Sequence, residues 1–173
     1  MSDHEMTFSK MPLDRCSSLR KDKNWLESQI KSKNSIFIPI WRGNYFFVES
    51  KLLQLSHHEL EQPSENLTSK PFIFLGLEGG QSAQESRAIF LIDCSEYQEE
   101  EFSDLFTRNC QFVEFRKSIT LLSTSQAAIL SYGKSLSHWH NSNKFCGFCG
   151  QTSIADYCGH SRKCTSEKCA KET

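Results

Sequence analysis

Apolar residues in this chain fall into short dense runs divided by polar turns, a pattern that predicts strands before helices. Residues 35–41 read Ser-Ile-Phe-Ile-Pro-Ile-Trp, Arg42-Gly43-Asn44 follow, and residues 45–48 are again apolar, which predicts a β-hairpin. Pro39 brings no N–H to a ladder and so points to an edge or a bulge. Leu52, Leu53 and Leu55 extend the sheet. Residues 71–77 and 87–94 form a second hairpin-like pair, separated by Glu78-Gly79-Gly80-Gln81 and a polar stretch. Gly76, Gly79 and Gly80 read as turn glycines, because neither a G-x-G-x-x-G nor a P-loop Lys-Ser or Lys-Thr accompanies them.

Helical spacing shows in three places. Trp25, Leu26 and Ile30 recur behind Asn24, a fair cap, after a polar arm that starts at Pro12. Phe102, Leu105 and Phe106 give a core face to a segment whose acidic opening, Glu99-Glu100-Glu101, reads as a solvated helix start. Residues 112–122 lead into the most regular helix, from Ser123 or Ser125 to about His140, with Ile129, Tyr132, Leu136 and Trp139 as one apolar stripe. His138 and His140 flank Trp139 where an imidazolium would favour the helix dipole, and capping or packing is their plain role. His57-His58-Glu59 reads as a solvated loop, since no third metal ligand lies nearby.

Composition narrows the function classes. The 173 residues carry 20 basic and 21 acidic side chains, a formal charge of −1, so bulk electrostatics do not advertise nucleic acid. The longest apolar runs are far shorter than a membrane span, so no membrane association is expected. The start, Met-Ser-Asp-His-Glu-Met-Thr-Phe, lacks the apolar core of a signal peptide, and a cytoplasmic location is expected. The eight cysteines then argue for metal rather than disulfides.

Cys146, Cys149, Cys164 and Cys169 follow the order C-x2-C, a fourteen-residue gap, C-x4-C. Two close thiolate pairs can turn four sulfurs toward one point, and Zn²⁺ accepts four sulfurs tetrahedrally, which makes this a structural zinc-ribbon ligand set. Gly150, just after the first pair, supports this, because a residue closing such a knuckle often needs positive φ. Cys158 or His160 with Cys164 is also a closely spaced pair, and either stays open as a replacement ligand. Cys16, Cys94 and Cys110 are isolated and read as small buried hydrophobes. The expected fold is α+β: a small, mainly antiparallel sheet domain with flanking helices over residues 1–122, a connector helix over 123–143, and a zinc ribbon over 144–173.

The order of motifs resembles the amino-terminal region of the NADH pyrophosphatases, a zinc-containing branch of the Nudix hydrolases. The resemblance runs from Pro12-Leu13-Asp14-Arg15 and Leu19-Arg20-Lys21 through Trp25-Leu26, the strand from Ile36 to Trp41 with Arg42-Gly43, and Phe74-Leu75-Gly76-Leu77-Glu78-Gly79. It is densest from Phe112-Val113-Glu114-Phe115-Arg116 through Leu136-Ser137-His138-Trp139-His140 to Lys144-Phe145-Cys146-Gly147-Phe148-Cys149-Gly150.

That resemblance implies zinc on Cys146, Cys149, Cys164 and Cys169, and a full-length homodimeric enzyme that splits the pyrophosphate of NADH or NAD⁺ into a nicotinamide mononucleotide and AMP. Some members remove NAD caps from RNA. Catalysis in the family belongs to a Nudix box, G-x5-E-x7-R-E-U-x-E-E-x-G-U, whose glutamates gather Mg²⁺ or Mn²⁺. Gly80, the nearest start for such a box, meets Ser86 where the first Glu should stand, and no Arg-Glu-x-x-Glu-Glu appears. The expectation is therefore a non-catalytic portion, cut before the Nudix domain, that scaffolds this domain and the dimer; catalytic and cofactor-binding residues are none. The alternative is a nucleic-acid-binding or protein-interaction module, with Arg162, Lys163, Lys168 and Lys171 beside Phe145, Phe148 or Tyr157 as stacking surfaces.

Overall fold

In the computed structural model, which describes residues 11–61, 67, 70–79, 86–101 and 110–173, the dense apolar runs become one mixed sheet. Its strands are β1 (Leu13–Asp14), β2 (Ile36–Trp41), β3 (Asn44–Val48), β4 (Lys51–Leu52), β5 (Phe72–Glu78), β6 (Arg87–Asp93) and β7 (Gln111–Val113). They lie in the order β1-β5-β6-β2-β3-β4, with β7 also pairing β3. All pairings are antiparallel except β2 with β6, where Ile36 to Ile40 run beside Ile89 to Asp93. The predicted helix through Phe102, Leu105 and Phe106 and the turn at Gly80 lie outside the described residues.

Both expected hairpins form. Arg42 and Gly43 turn between β2 and β3 with φ of 48° and 79°, the two positive values that match the twist of a two-residue hairpin. Pro39 is not at an edge. It is buried in a central strand and paired with Ile92 of β6. Continuing the hairpin register by one rung would set Pro39 opposite Phe46. Pro39 has no N–H to give, and the Phe46 carbonyl accepts instead from Leu53 N–H at 2.8 Å. The missing donor therefore marks where β2 leaves β3 and pairs with Leu55, whose N–H and carbonyl both bond Phe37. Gly76 also differs from its expected turn role. It forms a bulge inside β5, where a β-carbon would lie 2.7 Å from the Asp14 carbonyl of β1. The supposed polar arm thus supplies an edge strand.

Strand alternation sends residues to two cores, which is why the runs are apolar nearly throughout. Phe37, Phe74, Phe90 and Ile92 face one side, closed by Leu26 of α1 (Lys23–Ile30) and Leu60 of α2 (His57–Leu60). Burying each of these phenylalanines contributes about 2 kcal/mol. Asp22, rather than Asn24, caps α1 by accepting the Trp25 N–H. His57, His58 and Glu59 are helical, because Ser56 and Glu59 close a capping box at the start of α2.

Ile38, Ile40, Leu75, Ile89 and Leu91 face the other side, against α4 (Thr124–Ser142), which follows the short helix α3 (Phe115–Ser118). Ser123 and Gln126 form the capping box of α4. Its contact face is only partly the expected stripe: Ile129 is buried together with Ala127, Leu130, Gly133 and Ser137, while Tyr132 and Leu136 pack half-buried against this core and Trp139 is only partly buried. Close approach selects small residues here, since a β-carbon on Gly133 would meet Leu91 Cδ1 and the Tyr45 hydroxyl at 3.2 Å. Buried Tyr45 donates its hydroxyl proton to the Leu130 carbonyl at 2.6 Å. At the far end Asp93 ties β6 to α4, accepting from Ser137 Oγ at 2.6 Å and Asn141 Nδ2 at 2.9 Å. No helix among the described residues is long and apolar enough to cross a membrane.

Candidate metal centre

After α4 the chain forms a two-stranded antiparallel sheet, β8 (Ser153–Asp156) with β9 (Ser161–Cys164), flanked by two cysteine loops. The loops repeat one backbone plan. Cys146 N–H donates to Gln151 O at 2.6 Å and Cys164 N–H to Lys171 O at 2.9 Å, each acceptor two residues beyond the second cysteine of its pair. The residue before each first cysteine bridges the third residue after the second, Phe145 with Thr152 and Lys163 with Glu172. Gly150 N–H returns to Cys146 O and Ala170 N–H to Ser166 O, both at 2.8 Å. Gly150 and Ala170 then take φ of 77° and 44°. The longer C-x4-C spacing is absorbed between Cys164 and Ser166, leaving the same closing turn.

These loops bring the sulfurs of Cys146, Cys149, Cys164 and Cys169 within 4.8 Å of one another. Cys146 and Cys169 stand 3.8 Å apart, Cys149 and Cys164 3.5 Å. A tetrahedron of Zn–S bonds near 2.3 Å has edges of about 3.8 Å, so the spacing fits a tetrathiolate metal and is far too long for disulfides. All eight cysteines are unbridged. The N–H groups of Cys149 and Phe148 lower the Cys146 thiol to about 7. Ser166 N–H pulls Cys164 down, but burial and the adjoining sulfurs outweigh it and push that thiol up to about 12. Four thiolates this close cannot all ionise without a cation, and a soft dication answers that donor set.

Cys158 and His160 do not join them. β1 covers β5 only at Leu77 and Glu78, and the turn between β8 and β9 takes the edge at Phe72 to Phe74. Phe74 N–H donates to Cys158 O at 3.0 Å, Cys158 Sγ–H to Phe72 O at 3.3 Å, and His160 Nε2–H to Phe74 O at 2.5 Å. Burial pushes the Cys158 thiol up to about 11 and His160 down to about 4, so both stay neutral in this contact. Gly159 at the turn tip, φ 85°, lets the backbone settle on Ile73.

Sequence reasoning missed the polar junction beneath this turn. His140 Nε2 donates to Gly159 O at 2.9 Å, and its Nδ1 accepts from Arg162 Nη1 at 2.8 Å. Arginine is only a donor, so it fixes that tautomer, and burial lowers the His140 pKa. Arg162, expected in a basic surface patch, is instead 8 % exposed. It also bonds Ser153 through Nε at 2.9 Å and Nη2 at 2.5 Å. Tyr157 is half-buried under Lys21, whose Nζ lies 4.8 Å from the ring centre. Of the expected stacking surfaces, Phe145 and Phe148 remain outside, 66 % and 78 % exposed, with Lys171 Nζ 5.3 Å from the Phe148 ring. The Trp139-His140 end of the helix was the one sequence signal for the junction.

Comparison with known proteins agrees with this arrangement. Residues 34–139 match the NADH pyrophosphatase-like rudimentary NUDIX domain. The chain is similar to the NAD-capped RNA hydrolase NUDT12 of Homo sapiens, 26% identical over 191 residues that cover 95% of this chain and 41% of that protein. It is also similar to NAD(P)H pyrophosphatase NUDT13, mitochondrial, of Homo sapiens, 32% identical over 134 residues covering 66% of this chain and 38% of that protein. The chain spans about two fifths of the length of the curated relatives it matches. The matched domain covers the sheet from β2 to β7 and most of the long helix, more than half of the sequence, and the chain belongs to the family with the NADH pyrophosphatase-like rudimentary NUDIX domain.

Proposed function

We propose that this chain is the non-catalytic, zinc-bearing portion of a pyrophosphatase that splits NADH or NAD⁺, with NAD-capped RNA a further substrate of the whole protein. Residues 1–122 serve as the rudimentary domain, 123–143 as connector helix and 144–173 as zinc ribbon. The four-sulfur cluster carries this reading, because it sits directly behind the matched domain with spacing that suits Zn²⁺. Zinc on Cys146, Cys149, Cys164 and Cys169 fixes a segment too poor in apolar residues to fold by itself. The long helix and the ribbon turn, both anchored on the sheet, give a rigid mount for a catalytic Nudix domain and a homodimer partner. Mg²⁺ or Mn²⁺ would be supplied by that catalytic domain. Thiolates kept reduced for zinc favour a cytoplasmic location, although one relative is named as mitochondrial.

Native mass spectrometry with metal analysis tests the site: one zinc per chain, kept by Cys158→Ser and lost by Cys169→Ser. The same preparation, assayed on NADH with Mn²⁺, should show no hydrolysis, and turnover above buffer would overturn the non-catalytic assignment. A second reading, RNA binding by the ribbon, is favoured by the exposed rings of Phe145 and Phe148 beside Lys171. It requires salt-sensitive RNA binding that Phe148→Ala and Lys171→Ala abolish.

A further inference from the structure

Between the sheet and the cysteine module lies a cleft of about 400 Å³ that the zinc site does not use. Its apolar walls are Pro71 and Ile73 on one side and Ile154 and Ala155 of β8 on the other. Its polar lining comes from Arg162, Asn141, Asp93 and the Lys70–Glu96 ion pair, which is 2.7 Å long. A cleft of this size, with apolar walls and a few convergent polar groups, has the composition of a small-molecule site.

Arg162 decides what the cleft would hold. The guanidinium is buried, yet its bonded partners are Ser153 and the neutral ring of His140, and it makes no ion pair among the described residues. Three of its five N–H donors are engaged, leaving two without an acceptor among the described residues. A buried charge lacking its counter-charge is costly, and an anionic group in the cleft would offset that cost. The two carboxylates nearby are already committed. Asp93 accepts from Ser95 N–H, Ser137 and Asn141, and Glu96 is held by Lys70. Their negative charge disfavours a dianion such as phosphate. One delocalised negative charge on a flat apolar body suits both the lone guanidinium and the isoleucine walls.

We propose that this cleft binds a small organic monoanion, a carboxylate with an aromatic or branched apolar body, its carboxylate on Arg162 and its body between Ile73 and Ile154. The test titrates sodium benzoate and its neutral isostere benzamide into the full zinc-loaded chain, following the Arg162 Nε–H and Asn141 amide resonances by NMR. Benzoate should shift both saturably, and benzamide should bind roughly tenfold more weakly or not at all. Ile154 is 58 % exposed, so Ile154→Glu leaves the fold intact while placing a repelling charge at the cleft, and it should weaken benzoate by roughly tenfold. Equal binding of benzoate and benzamide, absence of a saturable shift, or indifference to Ile154→Glu would each overturn the proposal.

Discussion

The His160 ring of the ribbon turn reaches the carbonyl of Phe74, 86 residues earlier in the chain, with Nε2 2.5 Å from the oxygen. The contact closes the uncovered end of β5 and buries the imidazole, and desolvation lowers its pKa from 6.5 to about 4, outweighing the Phe74 carbonyl, which raises it. Above pH 6.5 the ring is neutral folded and unfolded. As pH falls from 6.5 toward 4, the unfolded chain takes up a proton that the folded chain refuses, so stability declines across that window and levels off below it. Allowing for residual solvent at the ring, the loss is about 2–3 kcal/mol. Urea denaturation from pH 7 to pH 5, with zinc content followed in the same samples, should show this slope. His160→Gln keeps an N–H donor without a titrating group and should reduce the slope to the part left by His140, whose pKa burial also lowers; a variant as steep as wild type would refute the assignment.

Gly159 and Ile73 make the other half of the same contact. An alanine β-carbon at position 159 would lie 2.8 Å from Ile73 Cγ1 and 2.9 Å from Cγ2, on a backbone with φ of 85°. Crowding and left-handed strain together should cost Gly159→Ala about 2–4 kcal/mol. Ile73→Ala removes both crowding atoms, so the double variant should be more stable than the sum of the single losses predicts, by about 1–2 kcal/mol. Strict additivity in that cycle would mean the turn does not rest on Ile73.

Hairpin pairs and the cysteine spacing were legible because each is local: a short dense apolar run shows a strand, Arg42-Gly43 a tight turn, and C-x2-C a knuckle. Partner choice was not. Nothing near residues 36–40 indicates that they lie parallel to β6, and Pro39 misled because the gap it leaves is filled by Leu53, fourteen residues later. The long helix misled for a different reason. Hydrophobic periodicity weights Ile129, Tyr132, Leu136 and Trp139, and Ile129 is indeed buried, but Gly133 and Ser137, which that criterion ignores, are buried more deeply than the other three. Spacing alone also left Cys158 and His160 open as ligands. Only the β8–β9 hairpin, which turns them toward Phe72 and Phe74, separates them from the four sulfurs. Arg162 resembles its surface lysine neighbours in sequence and differs only in facing inward on β9.

The repeated knuckle plan makes an asymmetric prediction. Gly150 and Ala170 hold equivalent positive-φ positions, but only the first is glycine. Ala170→Gly should relieve the left-handed penalty and stabilise the zinc-loaded chain by about 1 kcal/mol, while Gly150→Ala should destabilise it by a similar amount. No atom lies within 4 Å of a β-carbon built on Gly150, so the second effect would be conformational rather than steric. Thermal melts of the two variants, at one zinc per chain, should move in opposite directions; a fall for Ala170→Gly would show that the second knuckle does not keep this geometry.

The ribbon turn supplies a backbone rung to the sheet, so metal loss should be felt in β5 as well as in the cysteine loops. Phe74 N–H donates to Cys158 O, six residues before Cys164 in the chain and directly continuous with β9. If zinc orders β8 and β9, chelation frees the turn and leaves the Phe74 amide without its acceptor, while β6 stays enclosed between β5 and β2. Hydrogen exchange should therefore quicken at Phe74 by roughly tenfold or more on zinc removal, with β6 amides changing by about twofold or less. Cys158→Ser, which keeps the backbone acceptor and all four sulfurs, should leave Phe74 protected in the zinc-loaded protein. Phe74 protection that survives chelation would show instead that the turn docks on the sheet without help from the metal.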